Sequence, residues 1–143
     1  MEYCLEIAQS HDGSVGYVHG LLESLKKREI KLVKFQMHFP EYESTDLEVF
    51  RSNFSVVDKS RFDYWKRTSF TPKEWRTIFD KCSELNIEFL CTPLSKFAVE
   101  ILEDLGITAQ TIARQIVGWF SGTTTQEVMQ HRASGNADRT QNR

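Results

Sequence analysis

Apolar positions along this chain change period as they go. Residues 3–9, "YCLEIAQ", are aromatic, β-branched and apolar with polar neighbours, and predict a strand. Over 13–28 the interval lengthens: Val18, Leu21, Leu22 and Leu25 recur every three or four residues, as on one face of a helix. Lys26, Lys27 and Arg28 fall in its last turn, where cations complement the helix dipole. Residues 31–39 return to a strand, which Pro40 closes because it has no N–H for a ladder. Thr71-Pro72-Lys73-Glu74 then marks a helix start, with Thr71 as N-cap and Glu74 reaching back to it. Trp75, Ile78, Phe79, Cys82 and Leu85 form that helix's apolar stripe. Residues 88–94 predict a third strand. Ser95 caps a helix carrying Val99, Leu102 and Leu105, and Gly106 stops it. Residues 107–113 open a fourth strand.

Strand and helix alternate, which implies parallel strands joined by right-handed crossovers. In such arrays ligands bind beyond the carboxyl ends of the strands, and in closed barrels the βα loops build the site. Polar groups collect at that edge: Glu6 and the run from Gln9 to Asp12 with the first strand, Lys34, Gln36 and His38 with the second, Thr92 and Ser95 with the third. The connection over 41–70 is long for a compact domain and too rich in charge and aromatics for a flexible linker. Within it "KSRFDYWKR" interleaves bases and aromatics, a pattern that can bind nucleic acid. In a slightly acidic chain it reads instead as a lid or packing segment over the strand ends.

Each of these groups has a chemical and a plain reading. Lys34 lies in the apolar run "LVKFQ"; buried lysines are rare unless paired, which suggests an anion or Schiff-base role, unless it simply faces solvent. Glu6 offers a carboxylate for proton transfer or substrate hydroxyls, or an ion pair with Lys34 across adjacent strands. His11 and His38 end neighbouring strands, but their spacing is not diagnostic of a metal, and substrate hydrogen bonding or loop structure is the simpler expectation. Thr92 and Ser95 suit a phosphate with hydroxyls and backbone N–H groups, or else an ordinary N-cap.

Composition narrows the class. The 143 residues suffice for one domain, with 40% hydrophobic and 27% charged residues as in soluble globular proteins. A net charge of −2 gives no global attraction to nucleic acid or an anionic membrane. No apolar run approaches the ~20 residues of a transmembrane helix, and no basic signal segment opens the chain. Cys4, Cys82 and Cys91 have no metal-ligand spacing and read as reduced thiols of a cytoplasmic protein, Cys4 and Cys91 as small hydrophobes within strands. After Gly118 the sequence is polar and aperiodic, and disorder is expected.

Taken in order, "EIAQSHDGS", "VKFQMH", "ESTD", "FDYWKRTSFTPKEW", "EFLCTPLS" and "AVEILEDLGI" resemble the sialic acid synthase (N-acetylneuraminate synthase) family over roughly residues 3–108. The resemblance implies an α/β fold: the N-terminal portion of a (β/α)8 TIM-type barrel over 1–113, followed by a divergent polar tail over 114–143. It implies a carbohydrate-biosynthesis transferase that condenses phosphoenolpyruvate with N-acetylmannosamine or a related sugar. In that family a divalent metal, typically manganese, polarises the sugar aldehyde, and phosphate leaves by carbon–oxygen cleavage after water adds. Position by position, Glu6 is similar to the active-site glutamate of the first strand and Lys34 to the lysine that meets phosphoenolpyruvate. Gln36 matches a substrate-facing neighbour, and Thr92 a phosphate-side hydroxyl. The chain departs from the family at 110–116, where "QTIARQI" stands in place of a stretch like "WKIGSGE". The metal-binding histidines and the small antifreeze-like domain have no counterpart. A (β/α)8 barrel takes about 250 residues, so the expectation is a truncated or frame-shifted form, inactive alone. A non-catalytic fragment and a generic phosphosugar-binding module are the alternatives. The family is often homodimeric. Here self-association is expected through open strand edges and an inward face carrying Ile7, Phe35 or Phe89, depending on register.

Overall fold

Local capping sets the helices. Ser14, Thr71 and Ser95 each accept a backbone N–H three residues on, and Thr71 with Glu74 forms the full reciprocal box. The computed structural model describes residues 3–52 and 54–107. In order these are β1 (Cys4–Glu6), α1 (Val15–Lys27), β2 (Leu32–Met37), a 3-10 turn (Pro40–Tyr42), α2 (Arg61–Thr68), α3 (Pro72–Glu84), β3 (Glu88–Pro93) and α4 (Lys96–Asp104). The three strands are parallel in the order β1-β2-β3. The predicted fourth strand, the domain division at 113 and the polar tail lie outside the described residues.

Register decides which face is which. Glu6 stands opposite Lys34, Lys34 opposite Leu90, and Gln36 opposite Thr92. Side chains alternate faces along a strand. In β2 the odd positions Val33, Phe35 and Met37 are fully buried, while Leu32, Lys34 and Gln36 are half-buried. Ile7, Phe35 and Phe89 belong to the buried set with Val18, Leu22, Trp75, Ile78 and Leu102. They pack under the helices, which corrects the expectation that they form the inward face. The face turned away from α1, α3 and α4 carries Glu6, Lys34, Gln36 and Thr92. A one-residue slip would have exchanged the two sets.

Two elements differ from the sequence expectation. β1 is shorter than 3–9 because Ala8 adopts a left-handed backbone, φ 45°, which ends the strand after Ile7 donates its N–H to the Lys34 carbonyl. The connection after β2 contains α2, a two-turn helix with only Thr68 buried. Its weak apolar signal hides it from periodicity, and the Ser60 cap starts it. Among the described residues no helix is long and apolar enough to cross a membrane.

Candidate functional site

The centre of the polar face is an ion pair. Lys34 Nζ lies 2.5 Å from Glu6 Oε2, with 12% of the lysine and 31% of the glutamate side chain exposed. The plain reading of these residues therefore holds: they pair across adjacent strands, on the sheet face turned away from α1, α3 and α4. Gln36 and Thr92 are register partners on β2 and β3, two residues nearer the carboxyl edge than Lys34 and Leu90. Ser95 is the N-cap of α4, its hydroxyl accepting from the Ala98 N–H at 3.1 Å, so that oxygen is already engaged. Cys4 shares the Glu6 side of β1, and its thiol is pushed up by burial and by the nearby Glu6 charge. A raised pKa keeps it protonated and a poor nucleophile. Burial likewise pushes the Cys82 thiol up to about 12 and raises Cys91 further.

Above the strand ends sits the β1–α1 loop. Asp12 and Gly13 both take positive φ, 49° and 78°, turning the chain tightly into α1. His11 is 3% exposed; its Nδ1 accepts the Gly13 N–H at 3.1 Å, and its ring lies 4.4 Å from that of Phe70. That bond places the neutral ring's proton on Nε2, which finds no hydrogen-bond partner among the described residues. Desolvation, aided by nearby His38, lowers the His11 pKa to about 4 against the opposing pull of the Ala8 carbonyl and Asp12.

This histidine makes stability depend on pH. An unfolded histidine titrates near 6.5, so between there and about 4 the unfolded chain takes up a proton that the folded chain refuses. Stability should therefore fall as pH drops through that window, by about 3 kcal/mol in all, and level off for this group below it. Urea unfolding of wild type and His11→Asn at pH 7.5, 5.5 and 4.5 checks it. Equal acid losses in both proteins would refute it.

Arg67, at the end of α2, ties this loop to the long connection. Its Nε and Nη2 donate to both carboxylate oxygens of Asp58 at 2.9 Å, and Nη1 donates to Asp12 at 2.7 Å. The guanidinium holds the Asp58 carboxyl below the usual carboxylate range, with Ser55 contributing. The "KSRFDYWKR" stretch thus covers the strand ends as a docked helix. Sequence reasoning singled out neither Arg67 nor Asp58, and the bond from Arg67 to Asp12 spans 55 positions of chain, beyond any local signal. It also missed Glu43, whose carboxylate lies 2.7 Å from His38 Nδ1 and also accepts the Phe39 N–H. Pro40 placed between them, forcing a tight turn, is the signal that could have found it.

Among the described residues no group of three or more His, Cys, Asp or Glu is placed to hold a metal. At the strand ends the Nδ1 of His11 accepts the Gly13 N–H, while the Nδ1 of His38 faces the Glu43 carboxylate, the placement that leaves a histidine's Nε2 as its ligating atom.

Comparison with known proteins agrees with this architecture. A sialic acid synthetase from Leptospira borgpetersenii superposes with a TM-score of 0.54 at 17% identity, over 72% of this chain and 32% of that one. A spore coat polysaccharide biosynthesis protein E from Chromobacterium violaceum superposes at 0.56 and 17% identity, over 79% and 37%. The chain thus spans about a third of the length of each, and the three-stranded parallel sheet with its helices is part of their barrel-like fold. No curated protein matches the chain. The sequence model of the NeuB family matches residues 21–121, most of the chain, starting within α1. The chain belongs to the NeuB family.

Proposed function

We propose that this chain supplies the anion-binding part of a sialic acid synthase-like site, one that condenses phosphoenolpyruvate with N-acetylmannosamine or a related sugar and releases phosphate. The observation behind this reading is the Lys34–Glu6 pair on the sheet face turned away from α1, α3 and α4, with Gln36 and Thr92 beside it toward the carboxyl edge. A half-sheltered ammonium stabilises a phosphate or carboxylate more than an exposed one does, because water screens it less. When an anion takes up part of Lys34's charge, Glu6 is released to accept a hydroxyl from the sugar. Gln36 and Thr92 add uncharged hydrogen-bonding groups, which can orient a ligand without adding net charge. The family's divalent metal would polarise the sugar carbonyl. Among the described residues no three or more His, Cys, Asp or Glu gather to hold it, and the second reading is binding without turnover by this chain.

Calorimetric titration of the 143-residue chain with phosphoenolpyruvate tests the assignment. Lys34→Met should weaken binding about 10- to 100-fold, the range of a lost charge-assisted hydrogen bond. Glu6→Gln should leave phosphoenolpyruvate affinity the same or tighter, since it removes the competing carboxylate. Unchanged affinity in Lys34→Met would sink the proposal.

A further inference from the structure

His38 lies one residue beyond β2, and the Leu94 N–H still donates to the Met37 carbonyl there, so the pairing of β2 with β3 reaches that point. Phe39 stays with the buried row of Val33, Phe35 and Met37. His38 therefore continues the other row, that of Lys34 and Gln36, roughly 7 Å beyond Gln36 at about 3.3 Å per residue. Its ring stacks on Trp65 of α2, with centroids 5.3 Å apart and planes within 17°. That contact holds the imidazole under the docked helix.

Glu43 settles the tautomer. The chain returns through the Pro40–Tyr42 turn and sets the Glu43 carboxylate against Nδ1, with 7% of its side chain exposed. One oxygen lies 2.7 Å from Nδ1 and the other accepts the Phe39 N–H. An ionised carboxylate only accepts, so the Nδ1 position must carry the proton. The lone pair of the neutral ring is then at Nε2, which makes no hydrogen bond among the described residues and is not among their fully buried unpartnered atoms. His11 is the reverse: its Nδ1 accepts and its Nε2–H is sealed inside. Two histidines at one sheet edge are held in opposite tautomers by different neighbours, and of the two only His38 keeps an acceptor atom that is not fully buried.

We propose that His38, oriented by Glu43 and Trp65, is the neutral hydrogen-bond acceptor at the carboxyl end of β2, and that its Nε2 receives a hydroxyl of the sugar. A carboxylate behind an imidazole both fixes the ring and stabilises the imidazolium it becomes. If the hydroxyl proton transfers, the O–H bond breaks, an Nε2–H bond forms, and the positive ring pairs with Glu43. The identity of the ligand rests on the proposed function; the tautomer does not.

Imidazole nitrogen NMR of the ¹⁵N-labelled full chain, at a pH where the ring is neutral, tests this. The expected result is a pyrrole-like Nδ1 and a pyridine-like Nε2 for His38, the opposite of His11. Millimolar N-acetylmannosamine should shift the His38 Nε2 signal toward the hydrogen-bonded range. Glu43→Met, similar in length but without acceptor oxygens, should turn His38 to the Nε2–H tautomer and abolish the response. An unchanged His11 spectrum in that variant shows that the fold is kept. Trp65→Leu, which leaves Glu43 in place, should retain the tautomer and weaken the sugar response. An Nε2–H tautomer in wild type overturns the inference, and so does an Nε2 signal indifferent to the sugar. If phosphoenolpyruvate still perturbs Lys34 while the sugar leaves His38 unmoved, this inference fails and the proposed function stands. A sugar-dependent shift at His38 without any phosphoenolpyruvate binding at Lys34 gives the converse.

Discussion

Alanine at Gly13 should destabilise the protein by about 2–5 kcal/mol and loosen α2 from the strand ends, two effects with one origin. Gly13 has φ 78°, and a left-handed backbone costs a residue with a Cβ about 1–2 kcal/mol. The added Cβ would also lie 2.6 Å from the Arg67 carbonyl oxygen and 3.3 Å from the Thr68 Cα. Both are backbone atoms that no rotamer change can move aside, and such overpacking costs about 1–3 kcal/mol more. The way to relieve it is to shift the end of α2, where Arg67 holds Asp12 and Asp58 and Trp65 covers His38. Chemical unfolding should show the lost stability, and limited proteolysis should show faster cutting between Arg51 and Arg67. An alanine variant with an unchanged midpoint and unchanged cutting would show that α2 is not seated on Gly13.

Trp75→Ala should be comparably damaging, about 3–5 kcal/mol, a large part of the 5–15 kcal/mol that holds a typical domain. Trp75 is 1% exposed and meets three rings edge-on: Phe70 at 5.2 Å, Phe35 at 5.8 Å and Phe89 at 6.3 Å. It joins α3 to both β2 and β3, so its loss opens a cavity beneath the strands that carry Lys34 and Thr92. Trp75→Phe should be much milder. It keeps most of the ring contact and removes an indole N–H that has no partner among the described residues, a group that is costly to bury. Urea denaturation of the three proteins separates the cases. Equal losses in the alanine and phenylalanine variants would mean that volume is not what Trp75 contributes.

Much of the architecture was legible because it is written locally. The Thr71–Glu74 box, the cap Ser95, the stop at Gly106 and the stripe of Trp75, Ile78 and Cys82 each depend on residues within a few positions of one another. Their physics is the same in any fold that contains the helix. The alternation of strand and helix likewise implied parallel strands and put the chemistry at their carboxyl ends, where Glu6, Gln36 and Thr92 are found. What the sequence left open was every choice between partners distant in the chain. It could not say whether Lys34 or Phe35 would face the helices, because strand periodicity is satisfied by either parity and only pairing with β1 and β3 selects one. It could not place Arg67 against Asp12, or Trp65 against His38, because those contacts exist only once α2 has docked on the β1–α1 loop and the end of β2. Local hydrogen bonds and periodicity determine the elements. The tertiary structure alone decides which side chains meet across them, since burial is shared among residues that no short stretch of chain brings together.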